Sequence, residues 1–191
     1  SGAELQNLNI LAAQWVAPTI DYHGLAPELV LAGGLCLVLI LDLFIDDRKK
    51  WLLSAISSFT LLAAMIPVLT LGLSDVQVRS MFDGRYVVDN FSLVMKGVFL
   101  LSGYVVVLLS SSHVEEGEYW RGEYWFLLLT SLLGMLMMTS SRDLVSIFVA
   151  LEFLSIPAYM LAAWRKRDAT SNEAGVKYFM LGVFASAVML Y

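Results

Sequence analysis

The stretch DLVSIFVALEFLSIPAYMLAAW, residues 143–164, decides the fold. It is an apolar run with one carboxylate, Glu152, near its middle and one proline, Pro157, shortly after. A helix rises about 1.5 Å per residue, so about 20 apolar residues cross about 30 Å of hydrocarbon. Working outward from this run, five further segments meet or nearly meet that length: about 26–45, 51–73, 89–112, 123–140 and 173–191. The expected fold is all-α, a polytopic membrane protein with six transmembrane helices over 25–191. Residues 1–24 precede the bundle as an extracytoplasmic interfacial segment, because Leu5, Leu8, Leu11 and Trp15 recur at helical spacing. The apolar stretch Leu8–Ala13 is too short, and lacks the basic flank, for a signal peptide. The chain opens on Ser1 and is still apolar at Tyr191, so it is expected to be a piece of a longer polytopic chain.

Composition agrees with this reading. Of 191 residues 59% are hydrophobic and 15% charged, and the net charge is -5. Mean hydropathy is +0.74. A soluble domain carries about 25% charged residues, so an ordinary soluble enzyme, a disordered chain and a disulfide scaffold are excluded. No cluster of basic residues would neutralise a run of phosphates, which argues against nucleic-acid binding. The single cysteine, Cys36, lies in an apolar run and reads as a small buried hydrophobe. There is no phosphate-binding glycine loop, CxxC pair, or haem or iron–sulfur ligand set, so no cofactor-binding or metal residues are assigned. His113 has glutamates nearby but no ligand spacing. Met135, Met137 and Met138 read as packing residues.

Loop charge gives an orientation. The loops after spans one, three and five hold Arg48, Lys49, Lys50, Arg121, Arg165, Lys166 and Arg167. The opposite side holds only Arg79, Arg85 and Arg142. The positive-inside bias puts the first set in the cytoplasm and the N-terminus outside. Trp51, Tyr119, Trp120, Tyr124, Trp125 and Trp164 stand near span ends, where an aromatic belt is expected. In the loop at about 74–88, Val76, Val78 and Tyr86-Val87-Val88 flank Asp83-Gly84 and read as a short extracytoplasmic β-hairpin. Small residues four apart, Ser54/Ser58 and Gly182/Ser186, suit close helix approach.

Five charged residues are assigned to the interior of the spans: Glu28, Asp42, Lys96, Glu152 and Lys177. Each is costly in hydrocarbon and needs a reason. Glu28 and Asp42 lie near the ends of the first span and are expected to meet headgroups or water. Glu152 lies about 14 Å into its helix, near the midplane. Desolvation favours the neutral acid and a nearby ammonium favours the carboxylate, so a carboxyl balanced between them takes up and releases protons. The competing reading is a static acid that hydrogen-bonds a neighbouring helix. Pro157 removes the helical partner of the Phe153 carbonyl, so the helix is expected to loosen there and leave a polar or wet pocket, with Ser155 contributing. Lys96 lies about 10 Å into the third span, at a depth close to that of Glu152. Lys177 lies about 6 Å in from the cytoplasmic side, shallow enough to snorkel.

Several stretches then resemble a known family. They are Ser140-Ser141-Arg142-Asp143-Leu144, Leu151-Glu152-Phe153-Leu154-Ser155-Ile156-Pro157-Ala158-Tyr159, Arg165-Lys166-Arg167 and Glu173-Ala174-Gly175-Val176-Lys177-Tyr178-Phe179. Together they resemble the antiporter-like membrane subunits of proton-pumping NADH–quinone oxidoreductase, respiratory complex I. Ala26-Pro27-Glu28-Leu29, Asp42-Leu43 and Asp89-Asn90-Phe91-Ser92 resemble subunit N in particular. The resemblance implies a longer chain with inverted repeats and broken helices. It implies a bacterial inner-membrane arm that moves protons, coupled to electron transfer in partner subunits. NADH, FMN, iron–sulfur clusters and quinone would be bound by those partners. The family's coupling glutamate falls on Glu152 and a sixth-helix lysine on Lys177; support for Lys96 is weaker. Glu152, Lys177 and Lys96 are therefore the candidate proton relay. The alternatives are a subunit of a multi-subunit sodium/proton antiporter, and a non-conducting membrane scaffold.

Overall fold

The computed structural model describes residues 20–45, 51–74, 78–116, 121–165 and 167–191; for 112–113, 115–116 and 121 it describes the backbone alone. Six helices are present among these residues: α1 (Ala26–Phe44), α2 (Trp51–Leu73), α3 (Asn90–Glu116), α4 (Arg121–Ser140), α5 (Leu144–Ala162) and α6 (Ala169–Leu190). All six are long and apolar enough to cross a membrane. The interfacial segment expected at 1–24 lies almost wholly outside the described residues, as do Tyr119 and Trp120.

The helix ends follow local chemistry. Pro27 stands in the first turn of α1, where its missing N–H costs nothing. Asp143 caps α5 by accepting from the Ser146 N–H at 3.1 Å. Asp168 caps α6 by accepting from the Thr170 N–H at 2.9 Å, so that helix starts at Ala169, ahead of the expected 173. Hydropathy alone places the start too late, because the first turn after the cap is polar. Pro67 and Pro157 both stand inside continuous helices. Two hydroxyls buried in the bundle donate back to their own helix, Ser57 to the Leu53 carbonyl at 2.8 Å and Thr60 to Ile56 at 2.9 Å. Each such bond removes an unsatisfied donor from a place without water.

The expected hairpin is present. Strands β1 (Arg79–Met81) and β2 (Tyr86–Val88) pair antiparallel, with Arg79 opposite Val88 and Met81 opposite Tyr86. Asp83 and Gly84 both have positive φ, 56° and 84°, and the Arg85 N–H closes the turn on the Phe82 carbonyl. Two central residues with positive φ match the twist of the strands, and Asp-Gly tolerates that conformation. Val78 precedes β1, and Val76 lies outside the described residues.

The hairpin lies against one end of the bundle. Tyr86 bridges to Ser141, and the Arg142 N–H donates to the Arg85 carbonyl at 2.8 Å. α1, α3 and α5 begin at this end. α4 is the central helix and packs on α1, α2, α3 and α5, while α6 packs on α5 alone among the well-packed pairs. Gly134 makes the α4–α5 approach possible, because a side-chain carbon there would overlap the Phe153–Leu154 backbone. The core runs through Leu31, Val38, Leu61, Leu100, Leu129 and Leu136. The outward faces of α5 and α6 remain apolar and exposed, as at Val145, Met180 and Phe184.

Two packing expectations are corrected. Cys36 is exposed on the outside of α1. Trp125 is buried in the core, and Tyr124 turns inward to hydrogen-bond Ser110 at 3.0 Å and to meet Trp164 edge-on. The reason is common to both: a membrane helix is apolar all round, so hydrophobicity does not separate its lipid face from its core face. The Gly182/Ser186 pair does face α5, with Gly182 against the Tyr159 hydroxyl and Ser186 buried.

Candidate functional site

Lys96 stands six residues into α3, and its side chain is wholly buried. An ammonium group in that position requires an anion. The acid is Glu28, from the first turn of α1, with Oε1 at 2.7 Å from Lys96 Nζ. The Tyr86 hydroxyl, delivered by β2, donates to the same oxygen at 2.7 Å. Its ring also lies under the ammonium, with the centroid at 5.5 Å. Burial, and then the neighbouring Glu28 carboxylate, push the Tyr86 phenol above its ordinary range, so it remains a donor. Removing one member of such a buried pair costs about 3–5 kcal/mol, because the other charge is left uncompensated.

Glu28 therefore does not meet headgroups or water, as its place near a span end suggested; it is 7% exposed and paired. Asp42, from the far end of α1, lies against Gly122 in the first turn of α4, where the helix dipole favours an anion. Sequence reasoning missed Glu28 and Tyr86 as partners of Lys96. One signal was available: spans one and three start at the same face, and Glu28 is the acid near the start of span one.

Glu152 stands apart from this cluster. It is half-buried on α5 and lines an open groove of about 350 Å³ with Thr130, Phe148, Val149, Phe153, Ile156 and Pro157. The groove was expected to be polar, with Ser155 taking part. Instead its walls are apolar apart from Thr130 and the acid, and Ser155 donates to the Leu151 carbonyl of its own helix. Ser131 of α4 donates to the Leu154 carbonyl at 3.0 Å. Thus the polar backbone around the proline is served from α4, and α5 continues through Pro157 unbroken. Glu152 makes no ion pair among the described residues. α4 packs against both α3 and α5, so the similar depths of Lys96 and Glu152 do not bring the two together.

Lys177 lies on the exposed side of α6 and pairs with Glu173 one turn earlier, both side chains being more than half exposed. Such a pair is worth little where water reaches it. At the hairpin end, Arg79 pairs with Asp21 and Arg142 with Asp89. The Arg79 hydrogen bond holds the Asp21 carboxyl below its usual range. Burial pushes Asp89 up, but the Ser92 N–H and the Arg142 charge outweigh it and hold Asp89 low. The Ser146 hydrogen bond does the same for Asp143.

The fold and its buried charges define a polytopic helical membrane protein that keeps ionisable groups inside its bundle. Residues 141–191 match the family described as NADH:quinone oxidoreductase/Mrp antiporter, TM. NADH-quinone oxidoreductase subunit N of Thioalkalivibrio sulfidiphilus is 34% identical over 171 residues, covering 90% of this chain and 35% of the relative. Subunit N 2 of Koribacter versatilis is 41% identical over 183 residues, covering 93% and 37%. NAD(P)H-quinone oxidoreductase subunit 2 of Synechococcus elongatus is 40% identical over 180 residues, covering 90% and 34%. Among solved structures, a chain of respiratory complex I from Thermus thermophilus with bound aureothin superposes with a TM-score of 0.70 at 30% identity, covering 86% of this chain and 35% of that one. By sequence and by fold the chain is similar to antiporter-like membrane subunits, and among the relatives named here to subunit N. It spans about a third of the length of the curated relatives it matches.

Proposed function

We propose that the chain forms part of a membrane-arm subunit of a proton-translocating NADH–quinone oxidoreductase in a bacterial inner membrane. In this reading the other membrane-arm subunits are its partners. NADH, FMN, iron–sulfur clusters and quinone belong to partner subunits, which carry out the electron transfer. Glu152, Lys96 and Lys177 move protons or respond to charge within the membrane. The hairpin end faces the extracytoplasmic side, in keeping with the run of basic residues, Arg48, Lys49, Lys50, Arg165, Lys166 and Arg167, that the sequence carries after spans one and five. The relatives above, all named as quinone oxidoreductase subunits, favour this reading over a sodium/proton antiporter or a passive scaffold.

The observation that carries the chemistry is the position of Glu152. Its carboxyl stands in an apolar groove, with no ion pair among the described residues to fix its charge. A carboxyl so placed changes protonation when a charged neighbour approaches or withdraws. A static structural acid would instead be hydrogen-bonded into the packed core. Replacing Glu152 by Ala in the full-length protein removes the proton acceptor without opening a core cavity. The Glu152→Ala complex should assemble in native membranes while NADH-driven proton translocation is lost. Translocation at the normal proton ratio in the assembled variant would refute the role.

A further inference from the structure

The Glu28 carboxylate is satisfied on one side only. Oε1 accepts from Tyr86 and from Lys96. Oε2 is equally buried and has no donor among the described residues. Ser140 Oγ, in the last turn of α4, is wholly buried beside the Tyr86 hydroxyl, to which it can hydrogen-bond. Buried polar atoms are almost always hydrogen-bonded, and leaving one open costs free energy. An ion pair that served only to hold α1 to α3 would gain nothing from an open carboxylate oxygen. A proton or a water molecule arriving from the hairpin end finds its acceptor there.

We propose that Glu28 and Lys96 form a second proton-exchange site at the hairpin end of the bundle, with Glu28 Oε2 as the atom that takes and releases the proton. The proposal rests on the proton-translocating role argued above. Its steps balance with water as the only co-reactant. A hydronium ion gives its proton to Oε2; an O–H bond forms, a water molecule is left, and the carboxylate becomes a neutral acid. Lys96 then passes a proton to a water molecule; its N–H bond breaks, and the ammonium becomes a neutral amine. The reverse steps restore the pair. Tyr86 donates throughout and holds Oε1 in place, so exchange is confined to Oε2. Among the described residues, the polar groups at the site are Glu28 from α1, Lys96 from α3, Tyr86 from β2 and the Ser140 hydroxyl from α4. α2 has no titratable side chain. The rim carries the Asp21–Arg79 and Asp89–Arg142 pairs.

The test uses the full-length protein in its native membrane complex. A single E28Q or K96Q exchange leaves one buried charge alone and should lower assembly. The double variant E28Q/K96Q removes both charges and should restore assembly. It should still translocate roughly twofold fewer protons per NADH, or worse, and lose a deuterium-sensitive carboxyl band from the infrared difference spectrum of turnover. Y86F keeps both charges and serves if the double variant does not assemble. It should assemble, lower the proton ratio and shift that band. A wild-type ratio with an unchanged carboxyl band in whichever of these variants assembles overturns the exchange site and reduces the pair to a latch. If the same variant pumps normally while Glu152→Ala does not, this site fails and the Glu152 reading stands. If the wild-type complex moves no protons, both fall together.

Discussion

Gly134 is the residue at which the α4–α5 contact is most sensitive. Its missing side chain lets the α5 backbone pass over α4 one turn below Ser131, whose hydroxyl holds the Leu154 carbonyl. A larger residue has nowhere to go, because what it meets is main chain and not a flexible side-chain tip. Gly134→Leu should destabilise the full-length protein by about 1–3 kcal/mol through overpacking, or displace α5 and its groove. Thermal unfolding of the purified protein would show the loss, and an unchanged midpoint would mean that the two helices are not so closely apposed. Residues of this kind were poorly legible in the sequence. Glu152 stood out because a lone carboxylate in an apolar run has few innocent explanations. Glu28 did not, because a charge near a span end looks solvated until the partner that desolvates it is known. Tyr86 was read only as a strand residue.

Among the elements, the hairpin end is fastened at its rim by two charge pairs. Asp21–Arg79 ties the approach to α1 to β1, and Asp89–Arg142 ties the start of α3 to the loop before α5. Both carboxyls have their pKa lowered from 3.8. A group with a lowered folded pKa contributes stability that is fully present above its unfolded value and is lost as pH falls through the folded one. The window therefore lies below pH 3.8, and the hairpin should stay docked under milder acid. Hydrogen exchange at the amides of Tyr86–Val88, followed through an acid titration, measures this. Loosening well above that value would show that some other group fastens the hairpin. The hairpin was legible because Asp-Gly between short β-branched and aromatic runs is local turn chemistry. The charge ties join residues more than fifty positions apart, and nothing local announces them.

At the scale of the whole molecule, the six helices were legible, because the thickness of hydrocarbon fixes a length that hydropathy reveals directly. Which faces pack was not, and Cys36 and Trp125 show why: water does not sort one side of these helices from the other. Orientation is a property of the whole chain and yields to labelling. With Cys36 replaced by Ser, Asp83→Cys at the tip of the hairpin should react with a membrane-impermeant thiol reagent added to intact cells. Reaction only after the membrane is opened would invert the assignment.

The central position of α4 has a mechanical consequence. Thr130 borders the groove of Glu152, and Ser140 borders Tyr86, ten residues along the same rigid helix and about 15 Å away. α4 is thus a shared axle between two acids that never touch. Any displacement of α4 along its axis would alter the surroundings of both at once.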